Sequence, residues 1–163
     1  MKKVILAFSV VLFHCKDKDS TNILMTAEIG AITIELLPNK APITVKNLLQ
    51  YIDEDHYGDF TFNRVVNMKN QNSDSVKIEV IRDGLGFNQH SDVMHPISHK
   101  STNQTDLKHL NGTISTTRNE PGSTNSEIFN CFNDQPELNY NGSRNPGGLG
   151  FAAFGMFKSI KRI

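Results

Sequence analysis

The stretch Gly30 to Val66, GAITIELLPNKAPITVKNLLQYIDEDHYGDFTFNRVV, changes its hydrophobic period along its length, and those changes set the architecture. Ile32, Ile34 and Leu36 alternate with Thr33 and Glu35, the two-residue period of a strand with one buried face. The run just before it, ILMTAE from Ile23, is a second such strand, so the two form a hairpin around Glu28-Ile29-Gly30-Ala31. Then Pro42 suits a first helical turn, and Val45, Leu48, Leu49 and Ile52 recur at helical spacing, which predicts an amphipathic helix packed on the sheet. TFNRVV, Thr61 to Val66, returns to a strand and carries Arg64 in its middle. An arginine in a strand ordinarily faces water, opposite its apolar neighbours, so Arg64 needs context before it can be given a role.

Working outward, further short apolar runs follow at VKIEVI, GTIST, SEIFNCF and GFAAFG. Segments rich in Asn, Asp, Ser, Gly and Pro separate them, the punctuation of a β-rich barrel or sandwich with long working loops. No repeat and no domain-sized linker interrupts the series. A chain of 163 residues fits one domain, large enough to bury about two thirds of its unfolded surface without metals or disulfides.

Lys plus Arg and Asp plus Glu are both 17, so there is no net field to draw the chain to nucleic acid or to an anionic membrane. No nucleic-acid partner is expected. Of the two cysteines, Cys131 sits inside the apolar run EIFNCF and reads as a small buried hydrophobe, so no structural disulfide is expected.

The N-terminus is more informative. MKK followed by VILAFSVVLF is a charged segment and an apolar run too short to span a bilayer, the pattern of an export signal. Cys15 directly after that run resembles the lipid-attachment cysteine of bacterial lipoproteins, although Phe13 and His14 are bulkier than the small residues usual before it. Residues 1–21 are accordingly read as leader and polar spacer, and 22–163 as the folded domain. The export reading predicts a periplasmic or cell-envelope protein, touching the membrane only through acyl chains on Cys15. An ordinary cleaved signal, or an uncleaved tail, is the competing reading.

Several chemistries have little to stand on. GLGFAA, Gly148 to Ala153, matches a dinucleotide-binding pattern, but Asn-Pro-Gly precedes it where a strand is required. His90, His95 and His99 have spacings a metal could use, yet Pro96 breaks any helix there and no further ligand set accompanies them. There is no G-x-S-x-G, no H-E-x-x-H and no convincing carboxylate pair. Glycosylation-type triplets at Asn103, Asn111 and Asn141 are incidental beside a bacterial-type leader.

What remains is an ordered series of motifs. G-x-I-x-I-x-L from Gly30, A-P-x-T-V-x-N from Ala41, an aromatic-glycine turn at Tyr57-Gly58 and F-x-R-V from Phe62 come first; NGTISTTR, STNSEIFNCF and GFAAFG follow. Together, over about residues 24 to 157, they resemble the cyclophilin-type peptidyl-prolyl isomerases. The resemblance implies a mainly β fold, a closed cyclophilin-like β-barrel with one or two packed helices. It implies no cofactor and no metal, and proline-containing segments of exported proteins as partners. After FGMFKSIKRI that family normally adds a further strand, so an exposed strand edge is expected, with modest stability or a tendency of an otherwise monomeric domain to associate.

Within the resemblance Arg64 falls on the family's catalytic arginine, Phe129 on its pocket phenylalanine and Val80 on a pocket methionine. Thr117 lies beside Arg118, which stands at a common asparagine. Glu127 replaces a glutamine, Leu138 lies near the tryptophan that shapes the pocket rim, and Phe151 aligns with a pocket histidine. The family's F-M-I-Q-G-G becomes EVIRDG, with Arg82 where a substrate-binding glutamine belongs and Asp83 in place of a glycine. These changes rewrite the groove. They leave two readings: an active isomerase, or a non-catalytic module that holds proline-containing segments without turning them. Arg64 favours the first and the lost glutamines favour the second.

Overall fold

The structure, a computed structural model, describes residues 20–27, 30–72, 74–86, 91–145 and 147–162. Its strands are β1 (Thr21–Ala27), β2 (Gly30–Leu36), β3 (Thr61–Val66), β4 (Val80–Gly84), β5 (Thr113–Thr116), β6 (Ile128–Cys131) and β7 (Ala152–Arg162). They form one sheet in the order β1-β2-β7-β5-β6-β4-β3, every pair antiparallel. Two helices, α1 (Pro42–Asp53) and the single-turn α2 (Thr102–Thr105), complete it. The mainly β fold class stands as expected. The barrel is not closed: β1 and β3 end the sheet without pairing to each other, so the described strands make a curled half-barrel. The outer edge of β3 leaves Phe62 40% and Val65 55% exposed.

The long stretch folds as its periods dictate. Ile34 and Leu36 are buried on one face of β2, Pro42 opens α1, and Val45 and Leu48 are buried beneath it, with Leu49 and Ile52 packed at the margin. Ile23, Met25, Tyr51, Tyr57, Phe60, Ile114, Ile128 and Phe154 fill the same core. A glycine is required where β2 meets β7, because a Cβ on Gly155 would come within 2.6 Å of the Glu35 carbonyl oxygen.

Two strands depart from the sequence reading. The apolar run VKIEVI starts at Val76, but β4 begins only at Val80. The backbone of Ile78 is instead saturated by the Gln71 side chain, whose Nε2 donates to the Ile78 carbonyl at 2.7 Å while its Oε1 accepts the Ile78 N–H at 3.2 Å. Gln135 Oε1 accepts the N–H of Glu79 at 3.1 Å. Side chains have taken the bonds a neighbouring strand would need. In the other direction, β7 runs well past GFAAFG to Arg162, because β2 offers it a partner along its whole length.

Register fixes what shares a face. Arg64 lies opposite Arg82, Arg82 opposite Phe129, Phe129 opposite Ser115, and Ser115 opposite Ala153. Directly opposed residues point the same way, so these side chains form one row across five strands. The alternate row, through Asp83, Ile128, Thr116 and Ala152, points to the main core.

Candidate active site

The site grows from that first row. Phe129 joins Val66, Ile78, Val80, Cys131, Leu138 and Phe151 in a second apolar cluster, separate from the main core. Phe129 and Phe151 meet edge to face, centroids 5.3 Å apart and planes at 88°. Behind Phe129, the His109 ring stacks at 5.9 Å and 16°. Asn139 Oδ1 lies 2.9 Å from both the His109 backbone N–H and its Nδ1, and an amide oxygen only accepts. Nδ1 therefore carries the proton, and Nε2 accepts from the Ser115 hydroxyl at 2.9 Å. Burial pushes the His109 pKa down to about 4, against the opposing bond to Asn139, so the imidazole is neutral at physiological pH. A locked, uncharged ring holds the Phe129 wall in place.

Over this floor opens a cavity of about 200 Å³. Arg64, Val80, Arg82, Thr117, Arg118, Phe129, Leu138 and Phe151 all line it, so the structure gathers these residues, scattered along the chain, at one place. Leu138 is fully buried and lies at the base, on the short 3₁₀ turn Pro136–Leu138, instead of at the rim. Glu127 is not in the lining. Its carboxylate is wholly buried below, accepting from the Gly86 N–H at 2.7 Å and Asn63 Nδ2 at 2.9 Å. Asn63 Oδ1 in turn accepts from Arg82 Nε at 2.8 Å, and Glu127 Oε2 stands 3.7 Å from that nitrogen. Asn63 sits where the β3–β4 register slips between Phe62 and Arg64, a bulge that re-aims a side chain at Glu127. Glu127 thus acts on the groove through Asn63 and Arg82.

The cationic side chains of the cavity differ in one respect. Arg82 is held by Asn63 and Glu127. Arg118 Nε and Nη2 donate to the Gly150 carbonyl at 2.9 and 2.6 Å, and its guanidinium lies 5.3 Å over the Phe151 ring. Arg144 Nη1 donates to the Val76 carbonyl at 2.6 Å and pairs with Asp74 at 3.2 Å. Arg64 is exposed and engages no hydrogen-bond acceptor or carboxylate among the described residues.

Sequence reasoning missed Asn63, Arg144, Asn145 and His109. Asn63 was visible only as one more residue of a strand. Arg144 and Asn145 lie in the loop NYNGSRNPGGLG, which has no period to place them, and a single histidine between Lys108 and Leu110 carries no signal of its own. Cys15 and His90 lie outside the described residues. Among those described, no group of three or more His, Cys, Asp or Glu could hold a metal ion, and no helix is long and apolar enough to cross a membrane. A wider groove of about 930 Å³ runs between α1 and residues 93–97, but none of the residues above lines it.

Comparison with known proteins follows the same lines. The family model for cyclophilin type peptidyl-prolyl cis-trans isomerases matches residues 22–161. A peptidyl-prolyl cis-trans isomerase of Streptomyces antibioticus is 32% identical over 130 residues, 77% of this chain and 70% of that protein. Peptidyl-prolyl cis-trans isomerase A of Dickeya dadantii is 31% identical over 142 residues, 83% of this chain and 65% of its own length. Among solved structures, a cyclophilin type isomerase of Cryptosporidium parvum superposes with a TM-score of 0.64 at 17% identity, covering 86% of this chain and 78% of that one. That protein has also been solved in the presence of the dipeptide Ala-Pro.

Proposed function

The chain belongs to the cyclophilin-type peptidyl-prolyl cis-trans isomerases, and from that premise we propose how its own residues turn an X–Pro bond. The barrier to that rotation, roughly 18–20 kcal/mol, is the loss of amide conjugation, so neither nucleophile nor cofactor is required. The apolar floor of Phe129, Val80, Leu138 and Phe151 grips the proline ring, while the preceding carbonyl swings in the open part of the cavity. As conjugation is lost the prolyl nitrogen regains a lone pair. A guanidinium beside it donates a hydrogen bond that the planar ground state accepts poorly, which is stabilisation confined to the transition state.

Arg64 fills that role. The observation that carries the assignment is that, of the four arginines lining the cavity, it alone has no partner of its own to give up. Exchange spectroscopy on a short X–Pro peptide tests the reading. Uncatalysed exchange takes tens to hundreds of seconds, and micromolar enzyme is expected to shorten it well below that with chelator present. Binding of the peptide without acceleration would leave only the non-catalytic module.

We further infer that the clients are exported proteins and that the domain works as a monomer at the cell envelope, tethered through acyl groups on Cys15. The bacterial-type leader and its cysteine support this. Cys15→Ser is expected to move the protein from the membrane fraction to a soluble one, because stable anchoring needs the acyl chains. Native protein found soluble, with the residues before Cys15 attached, would contradict it.

A further inference from the structure

Turning a neutral amide needs one guanidinium, yet Arg64, Arg82, Arg118 and Arg144 all line this cavity and no carboxylate does. The excess is local, since the whole chain carries 17 basic and 17 acidic side chains. Arg82 and Arg144 bring their own counter-charges, Glu127 at 3.7 Å and Asp74 at 3.2 Å. Arg118 does not. Only 6% of it is exposed, and among the described residues it touches the Gly150 carbonyl and the face of Phe151. A guanidinium has five N–H donors, and Gly150 occupies two of them, leaving 5 − 2 = 3 that no described residue accepts. Burial lowers the Arg118 pKa and the charge of Glu120 opposes this, so the site bears a cost for a partly desolvated cation that is only partly offset. An anionic ligand group would relieve that cost.

We propose that the site selects prolines flanked by a carboxylate side chain, an aspartate or glutamate adjacent to the proline, with Arg118 as the main counter-charge and Arg144 assisting from the rim. The inference rests on the peptide occupying this cavity as described above. A neutral peptide satisfies the floor and Arg64 but leaves the Arg118 donors idle; an acidic neighbour of the proline adds a charge-assisted hydrogen bond in a partly desolvated setting. Because the partner is the guanidinium charge and not a shaped pocket, the preference should weaken as salt rises.

The test uses one host peptide with Gln, Glu or Lys placed before or after the proline, read by both exchange rate and titrated affinity. At low salt, Glu at one of the two positions is expected to exceed Gln by roughly three- to tenfold, with Lys below Gln. In about 0.5 M salt the ratio should shrink. Arg118→Gln should bring the Glu-to-Gln ratio close to one, whatever it does to the absolute rates, and Arg118→Lys should keep part of it. If every peptide binds without being turned, the isomerase mechanism fails and the charge preference is still read from the affinities. Equal binding of Glu and Gln peptides at both positions, binding of none of them, or a ratio that survives Arg118→Gln and Arg144→Gln together would overturn the proposal.

Discussion

Arg82 and Asp83 are neighbours in β4, and the alternation of the strand sends them into opposite worlds. Arg82 lies in the row with Arg64 and Phe129 at the cavity, its side chain 24% exposed, its charge kept and tied to Glu127. Asp83 points to the main core and is wholly buried. Asn130 Nδ2 donates to its Oδ2 at 2.9 Å, while Asp83 Oδ1 and Asn130 Oδ1 are both left without a partner. Burial raises the Asp83 pKa well above the usual carboxylate range, and a protonated acid supplies the donor this pair lacks. One face of the sheet spends its polarity on a site open to peptide. The other tolerates an acid only in neutral form.

The largest expected effect breaks the site face. Phe129→Ala removes a wall shared by the cavity and the second apolar cluster, so it should cost about 3–5 kcal/mol of stability and weaken peptide binding as well. A denaturant titration that places the loss below about 1 kcal/mol would mean the ring is not packed as described.

Next come the two neutralised groups, one behind each face. Unfolded His109 takes its proton near 6.5 and folded His109 near 4, so the unfolded state binds more protons between those values and stability falls as pH falls, by about 3 kcal/mol in all. Asp83 works the other way. Its folded pKa lies above the unfolded one, so the native state binds the extra proton and stability falls as pH rises beyond the ordinary carboxylate range. Their slopes therefore oppose each other above about pH 4. Asp83→Asn is expected to expose a stability that climbs with pH over that window, and His109→Gln one that declines with it. Parallel profiles for both variants, measured by thermal melts across pH, would show that the faces do not differ in this way.

A smaller effect concerns the link between faces. Glu127→Gln keeps an acceptor for Gly86 but loses the charge that offsets Arg82, which lies directly opposite Arg64. It should cost about 1–3 kcal/mol and lower activity through the altered pose of Arg82. Smallest of all, Arg82→Gln should change stability by less than about 1 kcal/mol, since Arg82 itself is partly solvated and the buried Glu127 keeps its bonds from Gly86 and Asn63. A loss much larger than that would make Arg82 part of the framework.

How much of this could be seen in the sequence follows the same division. The helix α1 and the hairpin of β1 and β2 were legible because each buries one face and so writes a period into the chain, whereas the strand bearing Arg64 buries only Val66 and was placed by the motif F-x-R-V. The start of β4 was not legible, because Gln71 and Gln135 satisfy its approach from afar. Resemblance placed Arg64, Val80, Phe129 and Phe151 at the cavity. It could not show that Glu127 turns beneath the groove, since that depends on a bulge at Asn63. Arg144 reaches the cavity from a loop whose conformation no local pattern encodes.

The central claim is that Arg64 acts on the rotating bond and not on the fold or on peptide binding. The direct measurement is the exchange rate of one X–Pro peptide under parent, Arg64→Ala and Arg64→Lys, alongside its affinity and the melting temperature of each protein. Arg64→Ala is expected to slow exchange about a hundredfold or more, as deletion of one preorganised donor does. Arg64→Lys should lose most of the activity too, because it keeps the charge without the planar fork. Affinity should change far less than rate, and melting temperatures should stay within a few degrees, Arg64 being exposed and unpaired. An Arg64→Ala protein that binds the peptide and turns it as fast as the parent would contradict the account, leaving Arg64 a solvated residue of an edge strand.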